Sequence, residues 1–424
     1  MTTRRTFSRQ CLHILWVLLL LAVQSLQAQS TGNIIITGTS DTLRQDSVAQ
    51  PWEQRVSQSI GQLLRDPLFE TSQVGILVWD LGGDSAVYAH NARQTMRPAS
   101  TMKLLTAITA LDQLGTDYCT STKLCYTGTV EGHVLKGNLV CVGGMDPLFD
   151  LEDMKAFVES VKALGVDSIS GFVCADRGMK DSDLLGEGWC WDDDNPVLSP
   201  LVYNRKDQFL DVFAKELIAA GIKGVMTEGA GSSAGSSGSA GSARSIICVR
   251  THNIDQILLR MMKDSDNLFA ECLFYQLAAN AGHRPATAKQ SAVIVKNLIK
   301  QTGLDPAAYR IADGSGLSLY NYISPEVLVR LLRHAHRNEN MYRHLLPSLP
   351  IAGWDGTLKN RMDQTAAFAN VRAKTGTLTG IISLAGYCTT ADNRPLCFAI
   401  INQGVMSARQ ARNFQDRLCI ALCK

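Results

Sequence analysis

Apolar positions along the chain change period several times, and each change marks an element. Val56, Ile60, Leu63 and Leu64 recur at helical spacing and predict a helix over Trp52 to Leu64. Val74 to Leu81 is a nearly continuous apolar strand, Gly82-Gly83-Asp84 a turn, and Ala86-Val87-Tyr88 a returning strand. Pro98 opens a helix that runs to Gly115, with proline near the start and glycine past the end, as helix termini prefer. From 119 to 250 the texture changes. Short strands (Gly137 to Val142, Ser168 to Cys174) alternate there with helices (Asp153 to Leu164, Phe209 to Ala220). Helical spacing resumes at Ile254, passes through Ser265 and continues beyond Leu277. Val371 to Gly404 is strand-rich, and Ala408 to Leu422 predicts a closing helix.

Three segments fall outside this pattern. Residues 1–28 have a basic start, an apolar run from Ile14 to Val23 and a polar end at Leu26-Gln27-Ala28. That is the layout of a cleaved secretory signal, and the run is too short to span a bilayer comfortably. Residues 29–50 read as a polar linker. Gly229 to Ser242 contains only Gly, Ala and Ser and cannot pack a core, so 229–243 is expected to be a flexible loop. The leader implies export to the periplasm or an equivalent compartment, with no stable membrane anchor.

The 424 residues are enough for two or three domains. The formal charge of +2 becomes −1 once Arg4, Arg5 and Arg9 leave with the signal. A near-neutral chain gives no electrostatic case for binding nucleic acid. Of the 12 cysteines only Cys11 precedes the cleavage point, which leaves an odd number. Cys141, Cys174, Cys388 and Cys397 lie in apolar, strand-like runs and read as small core residues. Pairing of Cys119 with Cys125, or of Cys419 with Cys423, stays open in an oxidising compartment. His334, His336 and His344 have no acidic partner to complete a ligand set, so no metal is expected, nor any other cofactor.

Candidate chemistry lies in three short stretches: Ser100-Thr101-Met102-Lys103, Ser265-Asp266-Asn267 and Lys374-Thr375-Gly376-Thr377. Ser100 and Lys103 are three apart on a helix and so share a face. Ser100 falls in the first turn, where free N–H groups favour an oxyanion. A lysine can take the serine proton only when neutral, and burial beside a second cation, Lys374, drives it that way. Ser265 could relay a proton to the leaving amine, and Asn267 could accept from Lys103. Lys374 and Thr375 could hold a substrate carboxylate. Gly376 could admit substrate to the strand backbone, and the Thr377 N–H could donate to the oxyanion. Together these supply acyl transfer through a serine ester without a histidine.

The surrounding residues resemble the D-alanyl-D-alanine carboxypeptidase/endopeptidase family, the low-molecular-mass class C penicillin-binding proteins. The likeness runs through Arg97-Pro-Ala-Ser-Thr-Met-Lys-Leu-Leu-Thr106, Asp313-Gly-Ser-Gly-Leu317 and Gly353-Trp-Asp-Gly-Thr-Leu358. It continues in Val371-Arg-Ala-Lys-Thr-Gly-Thr377, Ser383-Leu-Ala-Gly-Tyr387 and, earlier, Gly143-Gly-Met-Asp-Pro147. The resemblance implies an α+β fold of transpeptidase/β-lactamase type: an antiparallel sheet flanked by helices, with a helical lobe and an inserted α/β module. The catalytic domain would be discontinuous, 51–118 and 252–424, around an insert at 119–251. The implied reaction is cleavage of the D-Ala-D-Ala terminus of a peptidoglycan stem peptide through an acyl-serine. Cutting of D-Ala–diaminopimelate cross-links is also implied, with β-lactams as covalent inhibitors. By the same resemblance Asp176 would bind the side-chain amine of the diamino acid, beside an aromatic loop holding Trp189 and Trp191.

Two features depart from the family. The insert is shortened between Asn204 and Phe209, and the Gly/Ser tract is unusual. Two other readings share the motifs: a β-lactamase-type hydrolase, and a non-catalytic wall-binding protein. The long insert counts against the first. The presence of Ser100, Lys103 and Lys374 counts against the second.

Overall fold

The apolar runs at the two ends of the chain are distant in sequence and share one sheet. The computed structural model describes residues 51–191, 195–228 and 244–424. The expected signal, linker and Gly/Ser loop lie outside the described residues. In chain order the first half carries α1 (Trp52–Leu63), β1 (Gln73–Asp80), β2 (Ser85–His90), α2 (Met102–Gln113), β3 (Cys119–Tyr126), β4 (Thr129–Glu131), β5 (Val134–Lys136), β6 (Leu139–Val142), α3 (Leu151–Ala163), β7 (Ser168–Ile169), β8 (Val173–Asp176) and α4 (Phe209–Ala219). The second half carries β9 (Ser245–Asn253), α5 (Ile254–Lys263), α6 (Asn267–Asn280), α7 (Ala288–Gln301), α8 (Pro325–Arg337), α9 (Glu339–Ser348), β10 (Arg372–Leu378), β11 (Ile381–Thr389), β12 (Pro395–Gln403) and α10 (Ala408–Leu422).

Strands β10-β11-β12-β1-β2 form a sheet in that order, antiparallel throughout. Its central strands are apolar at nearly every position because both faces are covered. Val74, Ile76, Val78, Phe398 and Ile400 meet the terminal helices α1 and α10 through Val56, Ile60, Phe414 and Leu418. Leu77, Ala399 and Ile401 point the other way, into the helical lobe. Burying one such side chain contributes about 1.5–3 kcal/mol, so closure of the two chain ends on the sheet is strongly favoured. This is the expected α+β arrangement.

A second sheet, β8-β6-β3-β9, and a three-stranded one, β4-β5-β7, are built from the middle of the chain. Cys119 at the start of β3 is the register partner of Asn253 at the end of β9. The chain therefore leaves the first half and rejoins the second at adjacent points. The predicted strand from Ser168 to Cys174 is two strands, because the Phe172 N–H turns aside to donate to Asn138 Oδ1 at 2.8 Å. All eleven cysteines from Cys119 onward are free thiols. Cys119 and Cys125 stand at opposite ends of one extended strand, about 20 Å apart at strand rise, which excludes a bridge between them. No helix among the described residues is long and apolar enough to cross a membrane.

Two local departures from regular helix shape the site. The helical run predicted through Ser265 is broken. α5 ends at Lys263, α6 starts at Asn267, and Ser265 between them has φ +60°. Asp266 causes the restart, its carboxylate accepting the Leu268 N–H at 2.9 Å as an N-cap. The helix predicted from Pro98 begins instead as a single 3₁₀ turn, Ala99–Thr101, before α2.

Candidate active site

Ser100 sits in that 3₁₀ turn, half-buried, and Lys103 one turn later is fully buried. Lys103 Nζ lies 3.0 Å from Ser100 Oγ, 2.7 Å from Asn267 Oδ1 and 2.9 Å from the Ser315 carbonyl. A neutral amine has two N–H groups and one lone pair. Two of these contacts are acceptors only, so the lone pair is left for the Ser100 hydroxyl. Burial holds the Lys103 pKa down to about 8, against the opposing pull of Asp313, Glu271 and Asp266.

Lys374 arrives from β10, the edge strand of the main sheet, and is also fully buried. Its Nζ lies 2.8 Å from Ser265 Oγ and donates to the Thr375 carbonyl at 2.8 Å. Burial first, and then the charge of Lys103, push its pKa well below the ordinary lysine range. The break between α5 and α6 thus does specific work. Ser265 turns to Lys374 while Asn267, two residues on, turns to Lys103.

Period two along β10 sends Lys374 and Gly376 to one face and Thr375 and Thr377 to the other. A Cβ on Gly376 would stand 2.1 Å from Ser383 Oγ and 2.9 Å from both the Pro98 carbonyl and the Ser100 nitrogen. Only glycine lets the strand lie this close to Ser100. The Thr375 hydroxyl is 2.7 Å from that of Thr357, and Thr377 is exposed at the rim.

Asp176 stands outside this cluster, at the end of β8 in the second sheet. Its carboxylate pairs with Arg244 at 2.5 Å and accepts the Gly178 N–H at 3.0 Å. Trp191 is exposed, whereas Trp189 is buried and donates to Asp313 Oδ2 at 2.9 Å. Of the three histidines, His334 and His344 pair with Asp112 and Asp255, and His336 packs edge-on against Tyr342.

Several supporting groups escaped sequence reasoning. Asp313 also accepts from the Gly316 and Ser318 N–H groups and from Asn321 Nδ2, which fixes the loop that offers Ser315 to Lys103. Glu271 takes the N–H groups of Gly314 and Ser315. Burial, then Asp313, push its pKa up to about 8, and those same bonds oppose the shift. Gly316, at φ +80°, packs so tightly that a Cβ would meet the Ala99 carbonyl at 1.9 Å. The Asp-Gly-Ser-Gly run marks a tight turn in sequence, but nothing there shows which side chains it braces. Glu271 has no local signal at all, being one polar residue in an apolar helix. Arg205, from the middle of the chain, pairs with Asp266 at 2.7 Å and so touches the Ser265 motif from outside.

An antiparallel sheet that brings a serine and two buried lysines to one edge strand places the molecule among the active-site serine enzymes that dispense with histidine. More narrowly, the chain belongs to the D-Ala-D-Ala carboxypeptidase 3 (S13) family, whose model matches residues 56–202 and 197–422. It is 25% identical to D-alanyl-D-alanine carboxypeptidase DacB of Haemophilus influenzae, over 79% of this chain and 86% of that protein. It is 27% identical to a D-alanyl-D-alanine carboxypeptidase of an Actinomadura species, over 92% and 88%. The crystal structure of penicillin binding protein 4 from Haemophilus influenzae superposes with a TM-score of 0.75 at 22% identity. That match covers 85% of this chain and 97% of the other, and establishes the shared fold.

Proposed function

We propose that this carboxypeptidase cleaves the D-Ala-D-Ala terminus of peptidoglycan stem peptides through an ester on Ser100. The observation that carries the reading is the placement of Lys103 Nζ 3.0 Å from Ser100 Oγ, with its other two contacts made to acceptors. Neutral Lys103 takes the Ser100 proton as Oγ attacks the penultimate carbonyl. The backbone N–H groups of Ser100 and Thr377 receive the oxyanion. The C–N bond then breaks, and the departing amine takes its proton through Ser265, backed by Lys374. Water hydrolyses the ester by the reverse proton path. Because Lys374 is driven toward its neutral form, its part is proton relay more than charge-based capture, and Thr375 binds the substrate carboxylate.

The same nucleophile is open to β-lactams, in keeping with the solved complex of penicillin binding protein 4 with a β-lactam. The apolar leader points to action outside the cytoplasm. The 119–251 segment acts as an inserted module, a reading supported by the pairing of Cys119 at its entry with Asn253 just past its exit. Asp176 within it is a candidate for a side-chain amine of the substrate, which would have to displace Arg244.

Labelling with a fluorescent penicillin, followed by mass analysis of a defined pentapeptide digest, tests the reading. A lasting adduct on Ser100 together with released D-alanine is expected. Rapid turnover of the penicillin without D-alanine release points to a β-lactamase. No adduct points to a wall-binding protein.

A further inference from the structure

The face of the edge strand that carries Thr375 and Thr377 has charged neighbours to which the acyl-transfer steps assign no part. Thr375 and Thr377 point away from Lys374 toward the first turns of α10, where a cavity of about 520 Å³ opens beside them. Arg361, Arg409 and Arg412 line it along with the two threonines. Arg361 is neutralised by Asp416 at 2.6 Å. Arg409 and Arg412 differ. Both are exposed, three residues apart on one helix face, and neither makes an ion pair among the described residues. Arg412 Nη2 reaches to 3.4 Å from Thr377 Oγ1, so its guanidinium already sits at the lip of the oxyanion strand.

The geometry of the reaction says what such a charge would meet. In a peptide of D-amino acids the leaving residue carries its α-carboxylate two bonds beyond the scissile nitrogen. That is about 2.5 Å through space by standard bond lengths. A carboxylate held by Thr375, as proposed above, lies on the threonine face of β10, which Arg409 and Arg412 also line. A guanidinium fork binds a carboxylate bidentately and keeps its charge at any working pH. We infer that Arg412, supported by Arg409, recognises the free carboxylate of the leaving D-amino acid and sets the preference for substrates that carry one. The inference rests on the Ser100 acyl-enzyme reading above. It applies equally to a terminal D-alanine and to any other leaving D-amino acid with a free α-carboxylate. An amidated leaving residue gains nothing from the contact.

The test uses the whole mature protein, a diacylated Lys-D-Ala-D-Ala tripeptide and the same tripeptide as its C-terminal amide. Arg412→Gln should cut kcat/KM on the carboxylate substrate about tenfold, mainly through KM, as expected for loss of one charge-assisted contact. Arg409→Gln on top of it should cut further, and Arg412→Lys should restore part of the loss. Turnover of the amide should not change in any of these variants. Equal losses on acid and amide, or no loss on the acid, would overturn the inference while leaving the acyl-enzyme intact. Absence of any penicillin adduct on Ser100 in the unmutated protein would instead remove the reading beneath it, and this inference with it.

Discussion

Lys103 Nζ, in the first turn of α2, lies 3.0 Å from Ser100 Oγ in the 3₁₀ turn just before it, and is buried completely while the serine stays half open. The pair is therefore asymmetric. Ser100 is open to a substrate, and Lys103 is closed to water. Burial lowers the lysine's affinity for a proton, and the three-residue spacing puts its lone pair within reach of the serine hydroxyl.

Replacing Ser100 by alanine should abolish both penicillin labelling and D-alanine release. Its hydroxyl bonds to Lys103 alone among the described side chains, so stability should change by no more than about 0.5 kcal/mol. Mass spectrometry of the labelled protein and a denaturant melt check the two halves. Surviving D-alanine release would end the serine mechanism.

Acylation should rise with pH and reach half its plateau near pH 8, because only neutral Lys103 can accept the proton and its pKa is about 8. Lys103→Arg, which stays charged, should be inactive across the range. The stability sign follows from the same shift. Between pH 8 and 10.5 the folded protein has lost this proton while the unfolded chain still holds it. The unfolded state then binds more protons, so this group's contribution to stability grows as pH climbs through that window. Stopped-flow acylation and pH-dependent melts read the two effects.

Asp313→Asn should move the acylation midpoint below pH 8, because the Asp313 charge raises the Lys103 pKa and its removal lets that pKa fall. The same change weakens four hydrogen bonds that brace the loop, from Trp189, Gly316, Ser318 and Asn321. A stability loss of about 1–3 kcal/mol should accompany the shift. A pH–rate profile with an unmoved midpoint would count against the electrostatic link.

Gly376→Ala should slow acylation about a hundredfold, since a Cβ 2.9 Å from the Ser100 nitrogen forces strand and nucleophile apart. Overpacking of this kind costs about 1–3 kcal/mol in stability, so the variant should fold. Comparing its penicillin acylation rate with its melting midpoint separates misplacement from unfolding.

Much of the fold was legible because the sheet announces itself locally. β1, β11 and β12 are apolar on both faces, α10 falls at Ala408–Leu422 as its spacing predicts, and α1 differs from expectation by one residue. The reading failed at Ser265. An apolar period continues on both sides of it, and only the cap at Asp266 and the left-handed Ser265 backbone break the helix. It failed again between Ser168 and Cys174, where a bond to Asn138 from a distant turn interrupts the strand.

The sequence by itself determined the chemistry on offer: a hydroxyl, two amines, a polar tripeptide and a glycine-containing strand, in an order that names a reaction class. Those are covalent facts, and their meaning does not depend on packing. Tertiary structure alone decided that Lys374 faces Ser265 and Asn267 faces Lys103, that both lysines are dry enough to shed protons, and that Asp313 and Glu271 bear on how readily Lys103 does so. It also placed Arg412 at the lip of β10. Burial and through-space charge act between residues tens to hundreds of positions apart, and no local pattern records them.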